Sequence, residues 1–172
     1  MISQGLQKPL NQPSEILSTD RDEVFLAITI ASWGNIFYVI PGQKISLKTV
    51  THQTGSLTVC EPGDLNLFQI QRVYFLHSLS ENSKRGGHAH KQLRQFVIAI
   101  AGQFTMELEN LNGKVTIVAD DPTVGFYIPP LTWRDLYNFS ADAVCLVFAS
   151  DEFDEGDYIR DYVEFSDTIR PK

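Results

Sequence analysis

The stretch Lys84-Arg85-Gly86-Gly87-His88-Ala89-His90-Lys91, running on through Gln95 to Gly102, decides how this chain is read. It holds two of the four histidines, set among Lys84, Arg85, Lys91 and Arg94 in a chain whose formal charge is −7. Residues 96–101 have the composition of a strand. If their two-residue repeat reaches back to His88, both imidazoles fall on one face, because strand side chains alternate. Paired imidazoles serve either a metal ion or proton transfer near neutral pH.

Outward from this stretch the chain reads as short strands separated by turns. Before it come residues 56–61 and 68–76, parted by Pro62-Gly63-Asp64. After it, Phe104, Met106 and Leu108 alternate with polar residues, and Asn112-Gly113 signals a hairpin leading into Val115, Ile117 and Ala119. Asp121-Pro122 turns the chain into residues 124–128, and residues 133–138 and 144–149 complete the series. This spacing predicts an all-β sandwich or barrel. Tyr158, Ile159, Tyr162 and Phe165 recur at helical spacing after Asp157, which predicts a short C-terminal helix capped there. The other acidic residues of 151–167 read as a solvated face.

Residues 1–22 are polar, with Pro9 and Pro13, and read as a loosely ordered tail. Segments 24–30 and 36–40 are β-rich around a turn at Trp33-Gly34-Asn35. The division expected is an N-terminal extension, residues 1–45, and one domain, residues 46–172. At 172 residues, 43% hydrophobic and 20% charged, the chain is sized for a single core. Its acidity argues against binding a nucleic-acid polymer. The apolar run 24–40 is interrupted by Ser32, Gly34 and Asn35 and is too polar for a membrane span. No secretory leader is evident, so a cytoplasmic protein is expected. Cys60 and Cys145 are far apart and read as buried thiols rather than zinc ligands.

The central spacing resembles the first cupin motif, in which His-x-His is followed by a glutamate and a glycine. His88, His90 and Gly102 match, but Gln95 stands at the glutamate. In the second motif Pro129 and Asn138 match, but Arg134 stands at the histidine. A cupin metal needs three imidazoles and a carboxylate. Here an amide replaces the carboxylate, and a permanent cation replaces one ligand. The expectation is a pocket with no metal, suited to binding an anion and moving protons.

A narrower resemblance rests on Arg72-Val73-Tyr74, the block from Arg85 to Lys91, Gln95, Tyr127-Ile128-Pro129-Pro130, Trp133, and Tyr158-Ile159-Arg160-Asp161-Tyr162 with Glu164-Phe165. These residues resemble the WxcM-like sugar-nucleotide 3,4-ketoisomerases over residues 55–165. The resemblance implies a cupin fold, a double-stranded β-helix or jelly-roll barrel with a short C-terminal helix. It implies a cofactor-independent shift of the keto group of dTDP-4-oxo-6-deoxyglucose from C4 to C3 through an enediol, in deoxysugar biosynthesis for a surface glycan such as lipopolysaccharide O-antigen or an S-layer. Carried over by position, His88 is the base and Tyr74 a hydroxyl donor or relay. His90 and Gln95 bind the sugar, Arg85 the diphosphate or oxyanion, and Arg134 the sugar end. The family often has arginine before the glycine matching Gly55, close to substrate; here that residue is Thr54. Some relatives carry histidine at the position of Arg134. Homodimers with exchanged N-terminal strands are also implied. The alternatives are a non-catalytic sugar-nucleotide-binding cupin and a metal-dependent cupin enzyme.

Overall fold

After residue 42, runs of alternating apolar and polar residues become strands. The computed structural model describes residues 41–61 and 68–170. The expected tail, the segments at 24–30 and 36–40 and the turn between them lie outside the described residues. The strands are β1 Gln43–Ser46, β2 Lys48–His52, β3 Gly55–Val59, β4 Arg72–Leu76, β5 Arg85–His90 and β6 Gln95–Ala101. They continue with β7 Phe104–Asn110, β8 Gly113–Ala119, β9 Val124–Ile128, β10 Trp133–Tyr137, β11 Val144–Ala149 and β12 Tyr158–Ile159. A single 3-10 turn, Glu155–Asp157, precedes β12, and the one α-helix among the described residues, α1 at Tyr162–Ile169, follows it.

Two five-stranded antiparallel sheets result, ordered β1-β9-β6-β11-β4 and β12-β5-β10-β7-β8, while β2 and β3 form a hairpin of their own. The sheets face each other across one core. Val97, Ala99, Phe126, Ile128 and Val147 come from the first, and Phe104, Met106, Leu108 and Leu136 from the second. Each of these side chains larger than alanine, fully buried, contributes about 1.5–3 kcal/mol. The expected β-sandwich of jelly-roll type is therefore the observed fold.

Strand β6 is buried on both faces, which is why its sequence runs apolar without alternating. Its outer face, Phe96 and Ile98, packs with Leu47, Phe68 and Phe148. Gly125 on β9 makes room there, since a β-carbon would overlap the Phe96 ring. On the other sheet, Ala89, Ile159 and Phe165 form a small cluster with Trp133 and Ile169, seating α1 and β12 on the outside of β5.

Four expectations shift. The two-residue repeat does not run unbroken from His88 to Ala101, because β5 stops at His90 and β6 starts at Gln95. The intervening turn is held from outside: Lys91 N–H donates to the Asp157 carbonyl at 2.9 Å, and Gln92 N–H donates to the Asp157 carboxylate at 2.8 Å. Of residues 68–76, only 72–76 are strand. The β7–β8 loop is Leu111-Asn112, with Gly113 already paired to Asn110. Finally, α1 starts at Tyr162 with Asp161 as its N-cap, the Asp161 carboxylate accepting from Glu164 N–H at 2.8 Å. Tyr158 and Ile159 pair with His90 and Ala89 instead, because the β5 edge offers them strand hydrogen bonds. Asp157 is drawn to His90 and caps no helix.

Candidate active site

Strand parity builds the site. On β6, Val97 and Ala99 point to the core, so Gln95 does too. On β10 Leu136 points inward, and Arg134 with it. Ala89 faces α1, which turns His88 and His90 toward the opposite, inner side. Tyr74 on β4 packs against the same core. In the ladder Arg134 lies directly across from His88, with a register shift just after it.

The two glycines before His88 make this approach possible. Gly86 has φ +96° and Gly87 φ +66°, a region that L side chains rarely adopt. A β-carbon on Gly86 would also strike the Arg134 carbonyl. The glycine pair thus lets β5 close on β10 where the histidine meets the arginine.

Within the pocket Gln95 Nε2 donates to the Tyr74 hydroxyl at 2.7 Å. That hydroxyl keeps its own proton to give, and burial pushes its pKa up. His88 Nδ1 donates to the Gly86 carbonyl at 2.9 Å, leaving the Nε2 lone pair unshared. Burial, and then the Arg134 charge, push His88 down to about 4. His90 is 1% exposed and stands 3.0 Å from the Asp157 carboxylate. That carboxylate favours the charged ring, but burial and Arg134 outweigh it and push His90 down to about 2. Both resting imidazoles are neutral. Tyr158 closes the group, its ring centroid 4.9 Å from His88 and 4.2 Å from His90. A cavity of about 190 Å³ opens beside His90, Tyr158 and Arg72.

Arg134 is the outlying feature. It is 4% exposed, and none of its three guanidinium nitrogens has a hydrogen-bond partner among the described residues. Burial lowers its pKa to about 10, so it stays charged at neutral pH. An unpaired buried cation is costly unless something anionic or strongly polar completes it. Among the described residues, no cluster of three or more His, Cys, Asp or Glu side chains is arranged to hold a metal ion. The donors available, two imidazoles and an amide facing a guanidinium, suit an oxyanion better than a cation.

The profile of the family described as "FdtA: WxcM-like, C-terminal" matches residues 42–170. The chain belongs to this family. Among its WxcM-like relatives, the chain is 38% identical over 125 residues to the TDP-4-oxo-6-deoxy-alpha-D-glucose-3,4-oxoisomerase of Aneurinibacillus thermoaerophilus, covering 73% of this chain and 90% of that one. A 3,4-ketoisomerase variant from Thermoanaerobacterium thermosaccharolyticum, solved with TDP-4-keto-6-deoxyglucose, superposes with a TM-score of 0.72 at 35% identity. It covers 76% of this chain and 95% of its own. A 3,4-ketoisomerase from Helicobacter canadensis gives 0.70 at 33%, covering 74% and 96%.

Of the residues singled out in this WxcM-like chain, the fold brings together Tyr74, His88, His90, Gln95 and Arg134. Arg134 is buried and Trp133 before it is half-buried. Arg85 is exposed, and its guanidinium bonds the Lys84 carbonyl at 3.0 Å. Thr54 is exposed at the turn of the β2–β3 hairpin, which pairs with neither large sheet. Two residues escaped the reading. The spacing places Asp157 as a helix cap and Tyr158 on that helix, and neither is assigned to the site from the sequence. An aspartate directly before an apolar pair that repeats the His-Ala-His register is the signal that was available for both.

Proposed function

We propose that this protein is a sugar-nucleotide 3,4-ketoisomerase that converts TDP-4-keto-6-deoxyglucose to its 3-keto isomer without a metal. The observation that carries the reading is the buried Arg134 guanidinium, unpartnered among the described residues, across the ladder from a neutral His88. The relatives of known activity support the same substrate class.

The chemistry needs little else. The C3 proton is acidified by the neighbouring C4 carbonyl. His88, neutral and with a free Nε2 lone pair, removes it to give an enediol, and the same proton or one from solvent then returns to C4. Negative charge develops on the C4 oxygen as the C3–H bond breaks. Arg134 is the donor for that oxygen, and a guanidinium held without partners needs no rearrangement to serve it. Tyr74, its hydroxyl oriented by Gln95, donates to the sugar oxygens, and His90 holds a sugar hydroxyl. Arg85, outside the pocket, is assigned to the diphosphate.

A homodimer is part of the proposal. Among the described residues strand β4 is the edge of its sheet, yet Val73 and Phe75 are more than half exposed on it, and Val50 and Leu57 are exposed on a hairpin that pairs with neither large sheet. An apolar edge and a loose hairpin are complementary in an exchanged-strand dimer. That exchange carries the partner copy's hairpin turn, the site of Thr54, toward the pocket mouth. The extension, residues 1–45, and the domain, residues 46–172, then meet within β1. No helix among the described residues is long and apolar enough to cross a membrane. A cytoplasmic role in deoxysugar supply for a surface glycan, such as O-antigen or an S-layer, completes the proposal. The test is proton NMR of TDP-4-keto-6-deoxyglucose incubated with the protein. New 3-keto resonances are expected, their couplings assigning the C4 configuration; an unchanged spectrum would refute the activity.

A further inference from the structure

Asp157 is a carboxylate that the chemistry above leaves unused, and it is the most heavily engaged acid near the pocket. Its Oδ1 accepts from Gln92 N–H at 2.8 Å, and its Oδ2 accepts from Leu93 N–H at 3.3 Å. The same Oδ2 lies 3.0 Å from His90 Nδ1. Two backbone donors already mark this group as an ionised acceptor, and an ionised carboxylate can only accept. The proton shared with His90 therefore sits on Nδ1. A neutral imidazole has a single ring proton, so Nε2, on the ring edge remote from Asp157, carries the lone pair.

His88 reaches the same tautomer by another anchor, the Gly86 carbonyl at 2.9 Å. The two anchors differ in charge. A carbonyl orients the ring, whereas a carboxylate also stabilises the imidazolium that forms when Nε2 takes a proton. The geometry around Asp157 also fixes the turn that joins both histidines to Gln95, because Lys91 N–H bonds its backbone carbonyl.

We propose that Asp157 is a positioning residue for the isomerisation, holding His90 in the Nδ1–H tautomer so that Nε2 accepts from a hydroxyl of the sugar. The proposal rests on the ketoisomerase reading and deepens it. A 3,4 shift moves two protons, one between carbons and one between oxygens. As C3 becomes the carbonyl, its O–H bond breaks and an N–H bond forms at His90 Nε2. As the C4 oxygen becomes a hydroxyl, that N–H bond breaks and the proton is returned. No proton is left on the enzyme, and no oxidant or reductant is consumed. In the wrong tautomer Nε2 would offer a proton where one has to be received.

Asp157→Asn is the discriminating variant. It keeps the size and the oxygen for Gln92 N–H, gives up the long bond from Leu93 N–H, and turns an amide N–H to Nδ1 that demands the opposite tautomer. In nitrogen-15 long-range correlation spectra of the resting wild-type protein, His90 should show a protonated Nδ1 and an unprotonated Nε2. In the variant the two should exchange, with kcat lowered roughly 10²- to 10⁴-fold, the range set by loss of a tautomer-fixing aspartate elsewhere. KM should move only a few-fold. An unprotonated Nδ1 in the wild type overturns the proposal, as does a variant with reversed tautomer and near-normal kcat. Should the variant fail to fold, the wild-type spectrum alone decides. Absence of any wild-type turnover overturns the reading on which the proposal rests, and the resting spectrum tells the two failures apart.

Discussion

The pocket between the sheets and the β2–β3 hairpin are built in opposite ways. In the pocket every side chain's direction follows from strand parity and is locked by core neighbours. His90, Gln95 and Arg134 are each under 5% exposed, and Tyr74 is held by Gln95. Among the described residues the hairpin pairs only with itself, and its apolar residues Val50 and Leu57 are exposed. In the proposed dimer the proton-transfer groups come from one chain, whereas Thr54 meets substrate only through a second copy. Chemistry is separable from substrate fit in such an arrangement, and perturbing the two regions should give different signatures.

The largest effect is expected inside the pocket. His88→Asn removes the base and should lower turnover by roughly 10²-fold or more while leaving TDP binding intact; a near-normal rate would end its assignment. Arg134→Met should act with opposite signs on binding and stability. Losing a charge-assisted hydrogen bond, worth about 1.5–3 kcal/mol, should weaken substrate affinity by roughly ten- to a hundred-fold. The free protein should melt higher, because a buried cation without partners is replaced by an apolar side chain. A lower melting temperature with unchanged affinity would contradict the reading of the orphaned guanidinium.

The pH dependence follows from the two neutral histidines. Their folded-state pKa values lie below the usual 6.5, at about 4 for His88 and about 2 for His90. Between 6.5 and about 4 the unfolded chain binds protons that the folded one does not, so stability should fall as pH drops through that window. Melting curves from pH 7.5 to 4.5 check the sign, and His88→Asn should flatten part of the slope. The acid limb of kcat/KM should likewise fall well below pH 6.5. The smallest effect is expected at the hairpin. Thr54→Ala should leave melting within about 0.5 kcal/mol of wild type, as at other exposed positions, and change KM alone. A large loss of kcat there would erase the distinction between the two regions.

Most of the fold was legible in the sequence because its strands alternate. In β7 the apolar Phe104, Met106 and Leu108 are buried while Glu107 and Glu109 between and after them are only partly so, as the alternation predicts. The site was legible to the same depth. Gln95, His88, His90 and Arg134 lie on strands whose parity is fixed by apolar neighbours, so their meeting follows from register. What escaped has a common cause. Ile159 keeps helical spacing with Tyr162, and strand β12 and helix α1 both cover the patch around Ala89 through Ile159 and Phe165, while Tyr158 turns to His88 and His90. Periodicity along the chain cannot separate those two geometries. Asp157 was misread with them, since its partner His90 is 67 residues away. Thr54 is assigned to substrate through the family resemblance alone, because strand parity within one chain leaves it exposed at the hairpin turn.

The central claim, base-driven proton transfer without a metal, is tested most directly by solvent exchange. Protein treated with chelator would be mixed with TDP-4-keto-6-deoxyglucose in deuterated water and followed by proton NMR. The expected result is loss of the C3 proton signal together with growth of 3-keto resonances, at a rate unaffected by added divalent metals. Absence of exchange, or exchange that begins only when metal is restored, would contradict it.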